Sequence, residues 1–397
     1  MPIRRFFLLF SFFVCFGSLG AQIVSEIPLD TTGRKTVVDI LFDGNDLTKD
    51  HIIAREMTFS RGDTLYWSNL KAGMEQSKNN IMNLRLFNFV EIEPITIDTN
   101  EVIVLVSVQE RWYIYPVPIF EIAQTNFNTW WETKELRWLN YGVSVSHNNF
   151  RGLNQDLSFT LRFGYTKRFS ASYTIPNLNR KQTLGLHLSA RYYENGEITY
   201  NTTDNERQFF RIRGEKARKY YLYKVGLSYR ENIHLRHYFE FSFFDAYVHD
   251  SIPKLQPDYF VGGKARSRFL RASYLIAYDT RDYRRYPLQG LYLFGFLNQD
   301  GLGLVNKEGM NLFTTTAGFR QYHKLGERFY AAYSLEGKVN WNEPPYYLVE
   351  GLGYSADVRG YEYYVIDGTR YGVFASNFKY EILKPTAIDL PLIPTEK

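Results

Sequence analysis

The residues whose types and spacing indicate the most specific chemical role are Val358-Arg359-Gly360-Tyr361. They lie in a connection rich in glycine and aromatic residues that is too long for a hairpin turn, a length that functional loops often have. A glycine beside an arginine allows close backbone approach, while the guanidinium can bind a carboxylate through two parallel hydrogen bonds. The stretch therefore indicates either a loop anchored by an Arg–carboxylate pair or a surface loop with a solvated arginine.

Glu381 is the carboxylate that we expect to pair with Arg359. It lies in the alternating segment that follows the loop, on the same face as Asn377 and Lys379 and opposite the aromatic residues of that segment. An unpaired guanidinium away from water would be costly. The sequence therefore predicts that this face of the segment supplies a partner for the loop.

A second charged cluster, DTRDYRRYPLQG, contains Asp279, Arg281, Asp282, Pro287 and Gly290. Aspartate, proline and glycine at these spacings are typical of a turn. An acid–base catalytic pair is the alternative, but the turn explains the residue types better. The sequence has no glycine-rich phosphate loop, no nucleophile-elbow serine and no cysteine site. It therefore predicts no enzyme, no cofactor and no metal site.

The composition favours a membrane β-barrel, with a soluble all-β protein as the alternative. Aromatic residues make up 17% of the 397 residues, including 32 Tyr and 31 Phe. No internal run reaches the roughly 18 apolar residues of a membrane helix, whereas barrel strands bury only every second side chain in lipid. The net charge of +5 is small for this length and gives no indication of a nucleic-acid partner.

Residues 1–21 predict a secretory signal peptide, because two arginines precede a short apolar run and a zone of small residues. The only cysteine, Cys15, lies in this segment, so the mature chain is expected to have none. Residues 22–34 follow as a linker. The protein is therefore expected to leave the cytoplasm.

Residues 35–111 predict a small α+β domain. The segment TVVDILFDG alternates like a strand, LTKDHIIAREM has helical spacing, and a second helix is expected over about Tyr66 to Leu84. Two further strands, LFNFVEIEPITI and EVIVLVSVQER, predict a hairpin. The order strand-helix-helix-strand-strand resembles a POTRA (polypeptide-transport-associated) domain. Such a domain either accepts an extended partner chain at its edge strand or serves as a packed spacer.

Residues 112–397 predict a transmembrane antiparallel β-barrel of about twelve strands, which makes the protein mainly β. In LSFTLRFGY, for example, Phe159 and Leu161 share one face while Thr160 and Arg162 share the other. A β-sandwich would alternate too, but its strands are usually shorter.

The connections between the predicted strands support a barrel. Short links such as NNFRGLNQ, PNLNRKQ and DTRDYRRYPLQG follow the even strands, and most long links follow the odd ones. Short periplasmic turns and long extracellular loops are typical of outer-membrane barrels. GYTKR is the one exception, being short where a long loop is due. In this register the Val-Arg-Gly-Tyr stretch lies in the loop between the eleventh and twelfth strands.

Four stretches resemble the family of outer-membrane assembly and secretion barrels, the BamA- and TamA-like surface antigen proteins. They are the Val-Arg-Gly-Tyr loop, the turn from Asp279 to Gly290, NNFRGLNQDLSF and RFSASYTIPNL. The resemblance spans about Lys35 to Leu390 and implies one or more POTRA domains feeding a barrel of about sixteen strands. It also implies that the loop folds into the lumen, where Arg359 pairs with acids on the inner wall.

We expect the barrel part, residues 112–397, to be incomplete at its C-terminus. The family's last strands, with an aromatic-x-Asp-x-Gly segment and a terminal aromatic residue, have no counterpart here. About twelve strands without a closing partner would leave unpaired backbone groups in lipid. A truncated sequence or a split gene is therefore expected, with a natural short barrel as the alternative. The acids that usually bind the loop arginine lie on those later strands, so Glu381 is either one partner among several or a substitute.

The sequence supports two functional hypotheses of different classes. The first is an outer-membrane assembly or translocation factor that handles polypeptides during insertion or secretion. The second is a passive porin-like channel or surface receptor barrel. The resemblance implies outer-membrane lipid and client polypeptides as partners, with periplasmic chaperones or accessory lipoproteins as further candidates and no nucleic acid. It places the barrel in the bacterial outer membrane and the POTRA domain in the periplasm.

Overall fold

The computed structural model describes residues 33–98, 100–122, 138–179, 181–212, 214–305, 309–353 and 364–383. The expected signal peptide lies outside these residues, and so does Val358-Arg359-Gly360-Tyr361. Within the described ranges, no helix is both long and apolar enough to cross a bilayer.

The N-terminal domain is a four-stranded sheet with two helices. Its elements are β1 (Arg34–Asp43), α1 (Asp50–Ala54), β2 (Thr64–Tyr66), α2 (Trp67–Met82), β3 (Phe87–Asp98) and β4 (Glu101–Glu110). The strand order is β2-β1-β4-β3, in which β1 runs parallel to β4 and the other pairs are antiparallel. The predicted order of elements is present, and the three-residue strand β2 is an addition that its short sequence did not reveal.

The first helix is shorter than the helical spacing of its segment predicts. After α1 the backbone tightens, since the Glu56 N–H donates to Ile53 O (2.9 Å) and the Met57 N–H donates to Ala54 O (3.2 Å). These i→i−3 bonds end the regular helix. The two isoleucines Ile52 and Ile53 are nevertheless fully buried, so the segment still supplies its apolar face to the core.

One hydrophobic core holds this domain together. Strand β4 alternates strictly, with every second side chain from Val102 to Val108 buried. Both helices cover this face of the sheet, and their largest contributions are Ile52, Ile53, Leu70 and Ile81. Burial of a side chain of this size typically contributes about 1.5–3 kcal/mol.

The rest of the chain is dominated by one antiparallel sheet. Its strands are β5 (Ile114–Ile122), β6 (Leu139–Phe150), β7 (Gln155–Gly164), β8 (Thr166–Ile175), β9 (Leu184–Asn195), β12 (Arg218–Arg230), β13 (Leu235–Val248), β14 (Arg266–Asp279), β15 (Gly290–Asp300), β16 (Leu312–Lys324), β17 (Phe329–Asn340) and β20 (Arg370–Tyr380). Each strand pairs with the next in this order, and β5 and β20 form the two edges in the described residues. The predicted twelve antiparallel strands are confirmed.

The two faces of the sheet differ as a barrel wall requires. On β7 the side chains of Phe159, Leu161 and Phe163 are exposed outward, and Tyr223 and Leu227 do the same on β12. Polar and charged side chains alternate with them and point to the opposite face. An outward apolar surface of this extent matches lipid contact.

The two rims of the sheet are also different. One rim carries the short links β6–β7, β8–β9, β12–β13, β14–β15 and β16–β17, and we call it the short-turn rim. The other, the long-loop rim, carries the short hairpins β10 (Glu197–Thr203)–β11 (Glu206–Arg211) and β18 (Glu350–Gly353)–β19 (Val365–Gly368), together with α3 (Ile252–Leu255). The single short link on that rim is Tyr165, between β7 and β8, as the sequence predicts.

Candidate functional site

The charged turn between β14 and β15 is held by its own side chains. Arg281 donates two hydrogen bonds to the Asp279 carboxylate, with Nε–Oδ1 at 2.8 Å and Nη2–Oδ2 at 3.0 Å. Arg284 Nε lies 3.0 Å from the same carboxylate. Asp282 Oδ1 accepts the backbone N–H groups of Tyr283 (2.8 Å) and Leu288 (3.1 Å). The charged residues of the predicted cluster thus organise a turn.

Gly290 and Pro287 complete this turn for different reasons. Gly290 has a φ of +107°, and a Cβ there would lie 2.4 Å from Thr280 O, so only glycine fits without distortion. The Pro287 carbonyl accepts a hydrogen bond from Lys379 Nζ at 3.3 Å. This bond links the turn to the end of strand β20.

The same turn contacts the N-terminal domain. Asn83, which caps the C-terminus of α2, donates from Nδ2 to Asp282 O at 3.3 Å and accepts the Arg284 N–H at 3.4 Å. Both bonds use the amide side chain of one residue to join two regions about two hundred positions apart in the chain. The N-terminal domain is therefore docked on the short-turn rim.

A buried ion pair strengthens this docking. Arg230, at the end of β12, donates to both carboxylate oxygens of Glu56, at 2.5 and 2.8 Å. The Glu56 side chain is 5% exposed and that of Arg230 is 13% exposed. Two parallel N–H···O bonds of this kind are the strongest form of an Arg–carboxylate contact. Next to it, Arg55 donates to the side chain of Asn177 in the β8–β9 link.

The protonation of Glu56 reflects two opposed effects. Burial by itself would raise the pKa of the carboxyl, but the hydrogen bonds and charge of Arg230, together with Arg55 and Arg236, hold it below its usual value. Burial and the neighbouring Arg230 also lower the pKa of Arg55 to about 10. Glu56 is therefore ionised and serves as the counter-ion of a group of arginines at the interface.

A second polar network joins the domain to the β6–β7 link. The Glu110 carboxylate accepts the Thr48 N–H (2.7 Å), the Thr48 hydroxyl (2.5 Å) and the Leu47 N–H (3.1 Å). Asn149 Nδ2 donates to the Thr48 hydroxyl at 2.8 Å, and the Tyr113 hydroxyl lies 3.1 Å from it. Buried polar groups that are satisfied in this way fix one arrangement of the two regions.

Gly152 brings the two backbones into direct contact. The Lys49 N–H donates to Gly152 O at 3.0 Å, and Gly152 has a φ of +72°. A Cβ at this position would lie 2.0 Å from Leu47 O. The residue belongs to the stretch NNFRGLNQ, in which the sequence predicts only a short turn.

The inward face of the sheet encloses a polar cavity of about 800 Å³. Ion pairs across its wall are Lys224–Glu240 (2.8 Å), Lys338–Glu350 (2.6 Å), Arg320–Glu336 (3.5 Å) and Arg271–Asp300. Such a lining pairs the inward-facing charges with one another. We call this space the lumen.

The predicted loop contact is only partly within the described residues. Arg359 lies outside them, so no partner can be assigned to it here. Glu381 follows directly after β20, is half-buried, and its N–H donates to Arg328 O at 2.9 Å. Glu381 therefore lies at the short-turn rim, and its pairing with Arg359 stays a prediction.

Sequence reasoning did not find Glu56 and Arg230. They are separated by 174 positions, and neither lies in a motif that distinguishes it from an ordinary surface charge. The only signal is weak: Arg230 opens the predicted turn RENI, and Glu56 follows two buried isoleucines on a segment with helical spacing. Only the tertiary fold brings them together.

Comparison with known families identifies both parts of the chain. A POTRA model, described as a surface antigen variable number repeat, matches residues 35–111. The Omp85 superfamily domain matches residues 149–375, which is more than half of the chain. No curated protein matches the sequence.

The solved structures that resemble this chain include two CdiB proteins and one BamA. CdiB from Escherichia coli superposes with a TM-score of 0.54 at 13% identity, over 89% of this chain and 63% of its own. CdiB from Acinetobacter baumannii gives a TM-score of 0.48 at 12% identity, over 89% and 61%. BamA from Haemophilus ducreyi lacking POTRA domains 1-3 gives 0.46 at 16% identity, over 82% and 60%. The chain thus spans about three-fifths of the length of each.

Three observations agree with one another. The α+β domain is docked on the short-turn rim, the outer face of the sheet is apolar, and the two parts of the chain match the POTRA and Omp85 families. The short-turn rim, on which the domain sits, is accordingly the periplasmic rim. The chain belongs to the Omp85 superfamily, with its barrel in the outer membrane and its POTRA domain in the periplasm.

Proposed function

We propose that this protein handles polypeptides during their insertion into, or secretion across, the outer membrane. The observation that carries the proposal is the position of the POTRA domain, which Glu56–Arg230 and Asn83 fix against the periplasmic mouth of the lumen. A domain in that position meets a client before the barrel does. We infer that the protein acts by binding and guiding its clients, without enzymatic chemistry.

The POTRA sheet offers a surface for such a client. Strand β3 is an edge of the sheet, is twelve residues long, and exposes Phe89, Ile95 and Ile97. An extended peptide can pair with an edge strand through backbone hydrogen bonds and place alternate side chains on such residues. Client polypeptides and outer-membrane lipid are the partners that this proposal requires.

Depletion of the protein in its native cell tests the proposal. The expected result is loss of folded outer-membrane proteins, restored by a plasmid copy of the wild-type chain. Deletion of residues 35–111 from that copy should abolish the restoration, although the barrel is still present. Unchanged levels of every folded outer-membrane protein after depletion would contradict the proposal.

A passive channel is the second candidate, and the polar lumen of about 800 Å³ favours it. A channel would take up small solutes without any effect on client folding. In the same depletion experiment, slower uptake of sugars together with normal membrane-protein levels would favour this function.

The proposed function includes an anchored loop, in which Arg359 pairs with a carboxylate inside the barrel; Glu381, at the periplasmic rim, is the candidate partner within this chain. The two parallel hydrogen bonds between a planar guanidinium and a carboxylate cannot be reproduced by an ammonium group. Arg359→Lys should therefore impair complementation almost as much as Arg359→Ala, with Arg370→Lys as a control on the neighbouring strand. Wild-type growth and unchanged surface labelling of the loop in both variants would contradict the anchoring.

A further inference from the structure

A cavity of about 340 Å³ lies between the POTRA domain and the periplasmic rim. Its charged lining consists of five arginines against two carboxylates: Arg55, Arg85, Arg230, Arg236, Arg284, Glu56 and Asp156. We call this space the mouth chamber. It is built from both parts of the chain, so it exists only when the POTRA domain is docked.

The arginines of the mouth chamber are not equally compensated. Arg230 and Arg236 are direct cross-strand partners on β12 and β13, so two like charges face each other on one side of the sheet. Like charges in this arrangement are destabilising. Glu56 neutralises Arg230 through two hydrogen bonds, but the buried Nε of Arg236 has no hydrogen-bond partner within the described residues. Within the described residues, Arg236 is therefore less fully compensated than its neighbour Arg230.

Glu56 shows which ligand these arginines accept. It enters from the POTRA side and is held by the planar fork of Arg230, a geometry that selects carboxylates. Arg236 faces the same space from the next strand, and the remaining arginines add to the positive potential that surrounds it. Burial and Arg236 also lower the pKa of Arg284, as expected where cations crowd together.

We propose that the mouth chamber binds a glutamate or aspartate side chain of a client polypeptide, with Arg236 as the residue that receives the carboxylate. The inference rests on the proposed function, since it names the chemistry by which a client is held between the POTRA domain and the lumen. The volume of the chamber admits a short peptide segment and excludes a folded domain.

The test uses the full chain in lipid nanodiscs and two fluorescent peptides, one carrying glutamates and one carrying glutamines at the same positions. The acidic peptide should bind the wild type at least about tenfold more tightly, because a hydrogen bond to a charged carboxylate is stronger than one to a neutral amide. Arg236→Gln should remove this preference. Arg236→Lys should only reduce it, because lysine keeps the positive charge but cannot form two parallel hydrogen bonds with a carboxylate. Arg61→Gln, at an exposed POTRA arginine, is the control and should change nothing.

Equal binding of both peptides to the wild type would overturn the proposal, and so would an unchanged preference in Arg236→Gln. The result is separable from the proposed function. If the wild type inserts clients but shows no preference for the acidic peptide, only the proposed binding site is contradicted. If it prefers the acidic peptide but does not insert clients, only the proposed function is contradicted.

Discussion

The most deeply buried contacts between distant segments differ in kind at the two rims of the barrel. On the periplasmic rim, separate parts of the chain meet through Glu56–Arg230, the Thr48 network and Asn83, all of them polar. On the long-loop rim, Tyr259 and Phe260 are 1% exposed and pack against Tyr347 at centroid distances of 6.1 and 4.7 Å. The polar contacts of the periplasmic rim depend on charge, so a change in the charge of one partner weakens them. The aromatic contacts of the long-loop rim depend on apolar burial and are insensitive to charge.

This difference predicts which contacts respond to a change of charge. Buried ion pairs contribute little net stability compared with apolar packing, but they become very unfavourable when one partner is removed. Loss of one charge should therefore weaken POTRA docking, whereas the aromatic cluster of the long-loop rim should be unaffected.

The largest effect is expected from Phe260→Ala on the long-loop rim. Removal of this fully buried ring should destabilise the loop cluster by about 3–5 kcal/mol, through lost burial and a residual cavity. Hydrogen exchange of α3 should accelerate while exchange at the POTRA interface stays unchanged. Leu304→Ala, on the same rim but 79% exposed, is the matched control and should have almost no effect. Faster exchange at the interface would contradict the independence of the two rims.

Glu56→Gln should weaken POTRA docking by about 3 kcal/mol, because it leaves Arg230 buried without a counter-ion. Limited proteolysis and hydrogen exchange of α1 would detect the released domain. The control is Glu75→Gln, at an exposed position on α2. If both variants behave like the wild type, the ion pair does not hold the domain.

Much of this contrast could not be predicted from sequence. The alternation of β7 predicts its lipid face because a strand places every second side chain on one side. The turn at Asp279 to Gly290 is predicted because its residues act on their own neighbours. Glu56–Arg230 depends on a fold that joins distant segments, and no local pattern encodes that. Likewise, the sequence predicts only a long loop where β10 and β11 lie. Their pairing is stabilised by packing against Tyr346 and other long-loop residues, which the local sequence does not show.

Gly152→Ala should give a smaller loss of docking, about 1–2 kcal/mol from its left-handed backbone, plus the cost of moving Leu47 away from the new Cβ. Gly214→Ala separates these contributions. Gly214 has a φ of +76° but nothing within 4 Å of its Cβ position, so it should show the backbone cost alone. Thermal unfolding of both variants provides the comparison, and equal destabilisation would show that the contact with Leu47 is unimportant.

The smallest effect is a pH dependence of docking. The pKa of Glu56 is below its usual value of 4.5 in the docked state, so its contribution is fully present above that value. It is lost as the pH falls through the depressed pKa, when the carboxylate is protonated. Docking of the wild type, measured by hydrogen exchange, should weaken only at acidic pH. Glu56→Gln should lack this component, and an identical acid response in both proteins would assign it to another group.

The most direct measurement combines client folding and solute entry in proteoliposomes that contain the full chain. An unfolded outer-membrane β-barrel client is added from outside to vesicles that present the POTRA domain, and the swelling of the same vesicles in sugar solutions is recorded. We expect the client to fold faster than in empty liposomes, Glu56→Gln to slow this folding, and sugar entry to stay low. Swelling in sugars with client folding at the rate of empty liposomes would contradict this expectation.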